Sequence, residues 1–262
     1  MKKMLLSLSV LFLGATAFSQ TARVQVVHNS PDLAAATVDV YVDAANTLDD
    51  FEFRTASPFV DLPADVEIEL SIAPGNSTSV ADALLTVPVT LVDGETYIVT
   101  AYGIVSATGY DPAPPLSLEV FPMARETGSS ATDVDVMVFH GSTDAPTVDV
   151  VETGQGAGPI VNDLSYTDFQ GYLELPTADY VLEIRDESGN TGVAAFSAPL
   201  ETLALDGAAL VVVASGFLDP SQNNNGPAFG LWAASPAGGA LLELPSAPIV
   251  QQTARVQVIH NS

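Results

Sequence analysis

The ten residues Thr21 to Ser30, TARVQVVHNS, return at Thr253 to Ser262 as TARVQVIHNS, with Ile259 for Val27 as the only change. A looser copy, VDVMVFHGS, stands between them at Val134 to Ser142. A stretch that recurs in this way opens each unit of a repeat, and each unit must fold into something that tolerates copies of itself as neighbours. The copies stay in step beyond that opening. Phe51, Phe53, Phe59 and Leu62-Pro63 correspond at one constant spacing to Leu164, Tyr166, Tyr172 and Leu175-Pro176, and Gly94 to Gly103 corresponds to Gly207 to Gly216.

Within each unit the apolar pattern has a period of two. Val24 and Val26 alternate with Arg23 and Gln25, and Val134 and Val136 alternate with Asp133 and Asp135, which reads as a strand with one buried face. Further alternating runs lie at Thr37 to Asp43, Val66 to Ile72 and Tyr180 to Ile184, separated by turn residues such as Pro74-Gly75-Asn76 and Ser188-Gly189-Asn190. The run GAALVVVASG at Gly207 to Gly216 is nearly all apolar, as expected of a central strand covered on both faces or lying against the neighbouring unit. No amphipathic helix is evident. The fold expected is therefore all-β, with two tandem β-sandwich domains of immunoglobulin-like or transthyretin-like type at 21–126 and 133–236. Residues 127–132 and 237–252 have linker composition, although Leu241 to Leu244 has the pattern of one more strand, and 253–262 is the first strand of a third repeat.

Residues 1–19 have the three parts of a secretory signal peptide: Lys2 and Lys3, an apolar run from Met4 to Leu13, and small residues at Ala17 and Ser19. A bilayer span takes roughly 20 apolar residues, so this run predicts export and not membrane insertion of the mature chain. The chain has no Cys, which excludes disulfides and a lipidated cysteine. Beyond the leader there are five Arg and no Lys against 32 Asp and Glu. Such a surface repels phosphate backbones, which excludes nucleic acid as a partner.

The sequence Arg23-Val24-Gln25-Val26-Val27-His28-Asn29-Ser30-Pro31-Asp32, followed by Val38-Asp39-Val40-Tyr41-Val42-Asp43, resembles the signature of a secreted bacterial family, the domain of unknown function numbered 4397. The second unit departs from it at Gly141 and Thr143, and lacks equivalents of Tyr41 and Asp43, having Val151 and Glu152 in that stretch. The resemblance implies tandem copies in an exported or envelope protein, and no assigned activity. The leader, with its Phe-Ser-Gln end, also resembles those of Bacteroidetes.

All three histidines, His28, His140 and His260, occupy one repeat position, each followed by Ser and, in the first two units, by Asp32 or Asp144. Neutral imidazole suits a metal or acid–base chemistry. A transition-metal site, however, wants three or four convergent ligands, and each unit supplies one His and no Cys. The expected role of His28, Asp32, His140, Asp144 and His260 is thus to anchor the turn after the first strand. For Ca²⁺, the loop Asp219 to Gly226 offers oxygens at Asp219, Ser221 and Asn223. Tyr102, Tyr110, Tyr166 and Trp232 are the candidates for a sugar-stacking platform. No Gly-x-Ser-x-Gly elbow is present, and no carboxylate pair is singled out among the acids. The reading is a secreted, non-enzymatic structural or adhesive module at the cell surface, without a cofactor, whose partners are neighbouring repeats and a surface protein or glycan. A glycan- or Ca²⁺-binding module is the alternative, and a hydrolase comes third.

Overall fold

The computed structural model describes residues 20–249. The expected signal peptide, and the third-repeat strand with His260, lie outside the described residues. The fold is all-β. The first unit contains β1 (Thr21–His28), β2 (Thr37–Val42), β3 (Ala45–Glu52), β4 (Thr55–Ala56), β5 (Val60–Pro63), β6 (Glu67–Pro74), β7 (Leu85–Thr90), β8 (Thr96–Tyr102) and β9 (Ser117–Pro122). The second contains β10 (Asp133–His140), β11 (Val148–Glu152), β12 (Gly158–Leu164), β13 (Phe169–Pro176), β14 (Asp179–Asp186), β15 (Gly192–Pro199), β16 (Ala209–Ser215) and β17 (Gly230–Ala234). Two short strands follow, β18 (Gly239–Ala240) and β19 (Leu242–Glu243).

Each unit is a sandwich of two sheets. In the first, β3-β2-β6-β7 faces a sheet in which β1 lies between β8 and the two-part edge β4 and β5. In the second, β12-β11-β14-β15 faces β13-β10-β16-β17-β19. The opening strand runs parallel to the late one in both units, with Val26 opposite Val99 and Val138 opposite Val212. Between the sheets of the first unit lie Val24, Leu70, Tyr97 and Val99. Their counterparts in the second are Val136, Leu182, Leu210 and Val212.

The sequence pattern predicts one buried face for the opening strands, and the structure shows two. Gln25 is 1% exposed and Asp135 is wholly buried, because each unit covers the sheet face of the other on which they lie. The two first-strand sheets pack on each other, so the layers run sheet, sheet, sheet, sheet through both units. Val27, Ile98 and Phe121 on one side meet Met137, Phe139, Val211 and Val213 on the other. Phe139 and Phe169 are 4.5 Å apart and Phe121 and Phe169 5.1 Å apart, within the range in which aromatic pairs attract. This accounts for the unbroken apolar run in β16, all of whose residues are buried. Leu210, Val212 and Ala214 point into their own sandwich, while Val211 and Val213 point into the neighbour.

The stretch 237–252, expected as a linker, is built into both units over Gly239 to Glu243. β18 pairs with β4 of the first unit and β19 with β17 of the second. Its spacing explains this. Leu241 is buried in the core between the units and Leu244 in the core of the second sandwich.

Candidate functional site

The end of the opening strand carries the same construction twice. His28 ends β1, and its Nε2–H donates to the carbonyl of Ala35 at 2.7 Å, while Nδ1 accepts from the Ser30 N–H at 3.4 Å. Burial pushes the His28 ring down to about 4, so it is neutral at physiological pH, a carbonyl partner only partly opposing the loss of solvation. His140 likewise turns its Nε2 to the carbonyl of Pro146 at 3.0 Å, and burial lowers its pKa too. The serine two residues on reaches across the sheet in both cases. Ser30 Oγ donates to the Gly103 carbonyl and Ser142 Oγ to the Gly216 carbonyl, each at 2.7 Å. Both glycines have φ near the left-handed region, +88° and +86°, and a Cβ there would lie 2.2 Å from Pro115 O or 2.3 Å from Ala228 O. The turn therefore requires glycine at the end of β8 and of β16.

Asp32 closes the loop that follows. Its Oδ2 accepts from the N–H groups of Val105 at 2.8 Å and Ser106 at 2.6 Å, and its Oδ1 from Ala34 N–H and Ser106 Oγ, both at 2.9 Å. Burial works to raise this carboxyl, and the N–H groups of Ala34 and Ser106 outweigh it and hold the pKa below its ordinary value. Asp144 closes the corresponding loop in the second unit, accepting from Leu218 N–H at 2.9 Å and Asp219 N–H at 2.8 Å. Asp32→Ala strands three backbone donors, and is expected to cost about 3 kcal/mol, the range for unsatisfied buried groups facing a former charge. Urea unfolding monitored by Trp232 fluorescence measures it.

Asp39 and Asp149 serve a different purpose. Each accepts from the N–H of a left-handed aspartate at the neighbouring bulge, Asp50 at 3.0 Å and Asp163 at 2.8 Å. Asp32 and Asp39, like Asp144 and Asp149, are thus spoken for by separate loops and do not form a pair.

Both units, with the repeated turn that each carries, match a known family. Residues 22–122 and 134–262 fit the description "domain of unknown function (DUF4397)". The chain belongs to that family. No curated protein matches it. Among solved structures, a crystal structure of a candidate adhesin from Bacteroides ovatus is similar at 12% identity and a TM-score of 0.23, over 86% of this chain and 95% of that one.

In this DUF4397 chain the two histidine turns touch. Asn29 and Gly141 hold the same place in the two units, immediately after the histidine, and they meet across the boundary. Asn29 Nδ2 lies 3.4 Å from the carbonyls of Gly141 and Ala214. A Cβ on Gly141 would lie 2.0 Å from Asn29 Nδ2 and 2.9 Å from Phe139 Cε1. The slot holds one side chain, so one unit must have glycine there.

Other polar groups tie the units together. Arg54, from the first unit, donates to Ser215 Oγ at 3.0 Å and to the carbonyls of Ser215 at 3.1 Å and Ala228 at 2.8 Å, with its guanidinium 4.1 Å from the Trp232 ring centre. Burial pushes this guanidinium down to about 10, still charged at neutral pH. Gln25 Nε2 donates to the carbonyls of Ser57 and Ser235, both at 2.8 Å. Arg125 pairs with Asp135 and, at 2.9 Å, with Glu174. Apart from Arg125 and Asp135, ten residues apart, the partners lie far from each other in the chain, which hid these contacts from sequence reasoning.

The Ca²⁺ candidates do not converge. Asp219 Oδ1 accepts from Ser221 N–H at 3.0 Å and Ser221 Oγ at 2.6 Å, whereas Asn223, wholly buried, turns its Oδ1 to the Asp111 N–H of the first unit at 3.0 Å. Among the described residues no group of three or more His, Asp or Glu is placed to hold a metal. The aromatic candidates are no open platform either. Tyr102 lies 5.9 Å from Phe139 and 5.8 Å from Tyr166, inside the boundary between units, and Tyr110 packs on the buried Phe217 at 5.6 Å.

Proposed function

We propose that this chain is an exported, non-enzymatic structural or adhesive module of the cell surface, in which two DUF4397 units act as one stiff block. The observation that carries this is the apolar packing of sheet on sheet between the units. A spacer needs this, since a flexible tether would let neighbouring domains move independently. The chemistry-bearing side chains support the same reading. The rings of His28 and His140 and the carboxylates of Asp32 and Asp144 are committed to holding loops. Among the described residues no helix is long and apolar enough to cross a membrane. The role assigned to His28, Asp32, His140 and Asp144 in this proposal is to fix the loops at the end of the block. The partner is another repeat on one side and a surface protein or glycan on the other.

The test is to delete the chain from cells that display it and to measure their attachment to surfaces and to one another. Attachment should fall and be restored by the wild-type chain. Hydrolysis of any polymer that one Asp or Glu substitution abolishes would overturn the non-enzymatic reading. Thermal melts of residues 20–249 in EDTA and in millimolar Ca²⁺ are expected to overlay, because a ligand bound by the folded state alone raises stability by mass action and the oxygens of the 219–223 loop are already engaged. A calcium-dependent rise in Tm would move the reading to a calcium-stiffened module.

A further inference from the structure

The two sandwiches are filled differently. Between the sheets of the first unit the free space amounts to about 30 Å³, whereas the second encloses a cavity of about 150 Å³. Corresponding aliphatic residues surround both: Val40, Ile72 and Val99 in the first, Val150, Ile184 and Val212 in the second. One position differs in a way that matters at the histidine end. Phe51 packs into the first core and stacks on His28 at 6.1 Å, and its counterpart is the smaller Leu164, which lines the cavity.

Space of this kind is costly to leave empty, since the atoms around it forgo dispersion contacts. Water does not relieve the cost, because a buried water needs two to four polar partners and the walls here are almost entirely hydrocarbon. An apolar cavity of about 150 Å³ stays dry and takes up small hydrocarbons. The cavity also leads outward. Val193, Leu203, Leu218 and Leu242 are among the residues around it and are 38–51% exposed, so apolar side chains run from the interior to solvent. In the first unit the exposed residue bordering the smaller space is the polar Thr47.

We propose that the second sandwich is a binding site for one hydrocarbon chain, inserted apolar end first between its sheets with the polar end left in solvent. The net charge of −25 disfavours an anionic head, so the ligand is a neutral or cationic alkyl compound. This site is independent of the spacer role, and either can fail without the other.

The probe is 1-octanol, with 1,8-octanediol as the control that cannot bury an end without burying a hydroxyl. Octanol should raise the Tm of residues 20–249 by about 3 °C or more at saturation, and the diol should not. Nuclear Overhauser contacts should link octanol methylenes to the methyl groups of Val150, Leu164 and Val212. Leu164→Phe, which installs the residue the first unit already carries, should keep the fold and abolish the shift. No octanol shift, equal shifts with octanol and diol, or Overhauser contacts confined to other residues would each overturn the proposal. A shift that survives in a folded L164F protein would overturn its placement in this cavity.

Discussion

Gly141→Asn is expected to cost about 3 kcal/mol, the upper end for forcing extra atoms into a packed interior, and the effect should be reversed in large part by adding Asn29→Gly. The single change sets two asparagine side chains in a slot that holds one, since even a bare Cβ at 141 lies 2.0 Å from Asn29 Nδ2. Phe139 Cε1 at 2.9 Å and Ala214 O at 3.1 Å block the remaining directions. The backbone at Gly141 is not in the left-handed region, so the penalty is spatial and not conformational. Exchanging the two residues moves the side chain to the other unit and leaves the slot singly filled. Chemical denaturation of the wild type, both single variants and the exchange variant gives the coupling directly. A double variant as weak as G141N alone would show that the two sides of the boundary are not equivalent.

The second large effect is on pH. In an unfolded chain histidine titrates near 6.5, and in the fold His28 is pushed down to about 4. The unfolded state therefore binds more protons throughout that interval, and stability rises with pH across it. The contribution is fully present above pH 6.5 and is lost as pH falls to about 4, amounting to about 3 kcal/mol for a shift of this size. His140 is lowered by the same cause and adds in the same direction. Asp32, held below its ordinary value of 3.8, acts in a separate and more acidic window, since its contribution is present above 3.8 and lost below it. His28→Gln retains an N–H for the Ala35 carbonyl and removes the titration. Its stability should fall less steeply than that of the wild type between pH 6.5 and 4, the slope that remains coming from His140. Parallel slopes for the two proteins would remove His28 as the cause.

The strands and the match between units were legible in the sequence because both rest on local pattern. Val24 and Val26, or Val134 and Val136, alternate with polar residues whatever lies beyond the sheet. The packing of one unit on the other was not legible, because the residues on that face include Gln25 and Asp135, which read as solvent-facing. Their polarity is matched from elsewhere: Gln25 by the carbonyls of Ser57 and Ser235, Asp135 by Arg125 and by Ser129 N–H at 2.7 Å. Only the apolar run of β16 pointed to a covered second face. The loop around Asn223 shows the same limit. A run of Asp, Ser and Asn looks like a solvated or metal-binding loop, yet the deciding contact is with Asp111, far away in sequence and on the other unit. Gly141 in place of Asn29 was visible as a departure between the copies, and became meaningful once the two positions were found touching.

That singly occupied slot also bears on how such a chain can lengthen. A unit copied alone would bring either a second asparagine or a second glycine to a boundary built for one of each. Duplication of the pair would preserve the match. The stretch at 253–262 has the asparagine form, HNS, and differs from the opening of the first unit at one residue in ten, whereas the intervening copy has HGS. In a longer array, odd and even units would be distinct parts with distinct constraints, and substitutions would accumulate in register with the unit two positions away and not with the immediate neighbour.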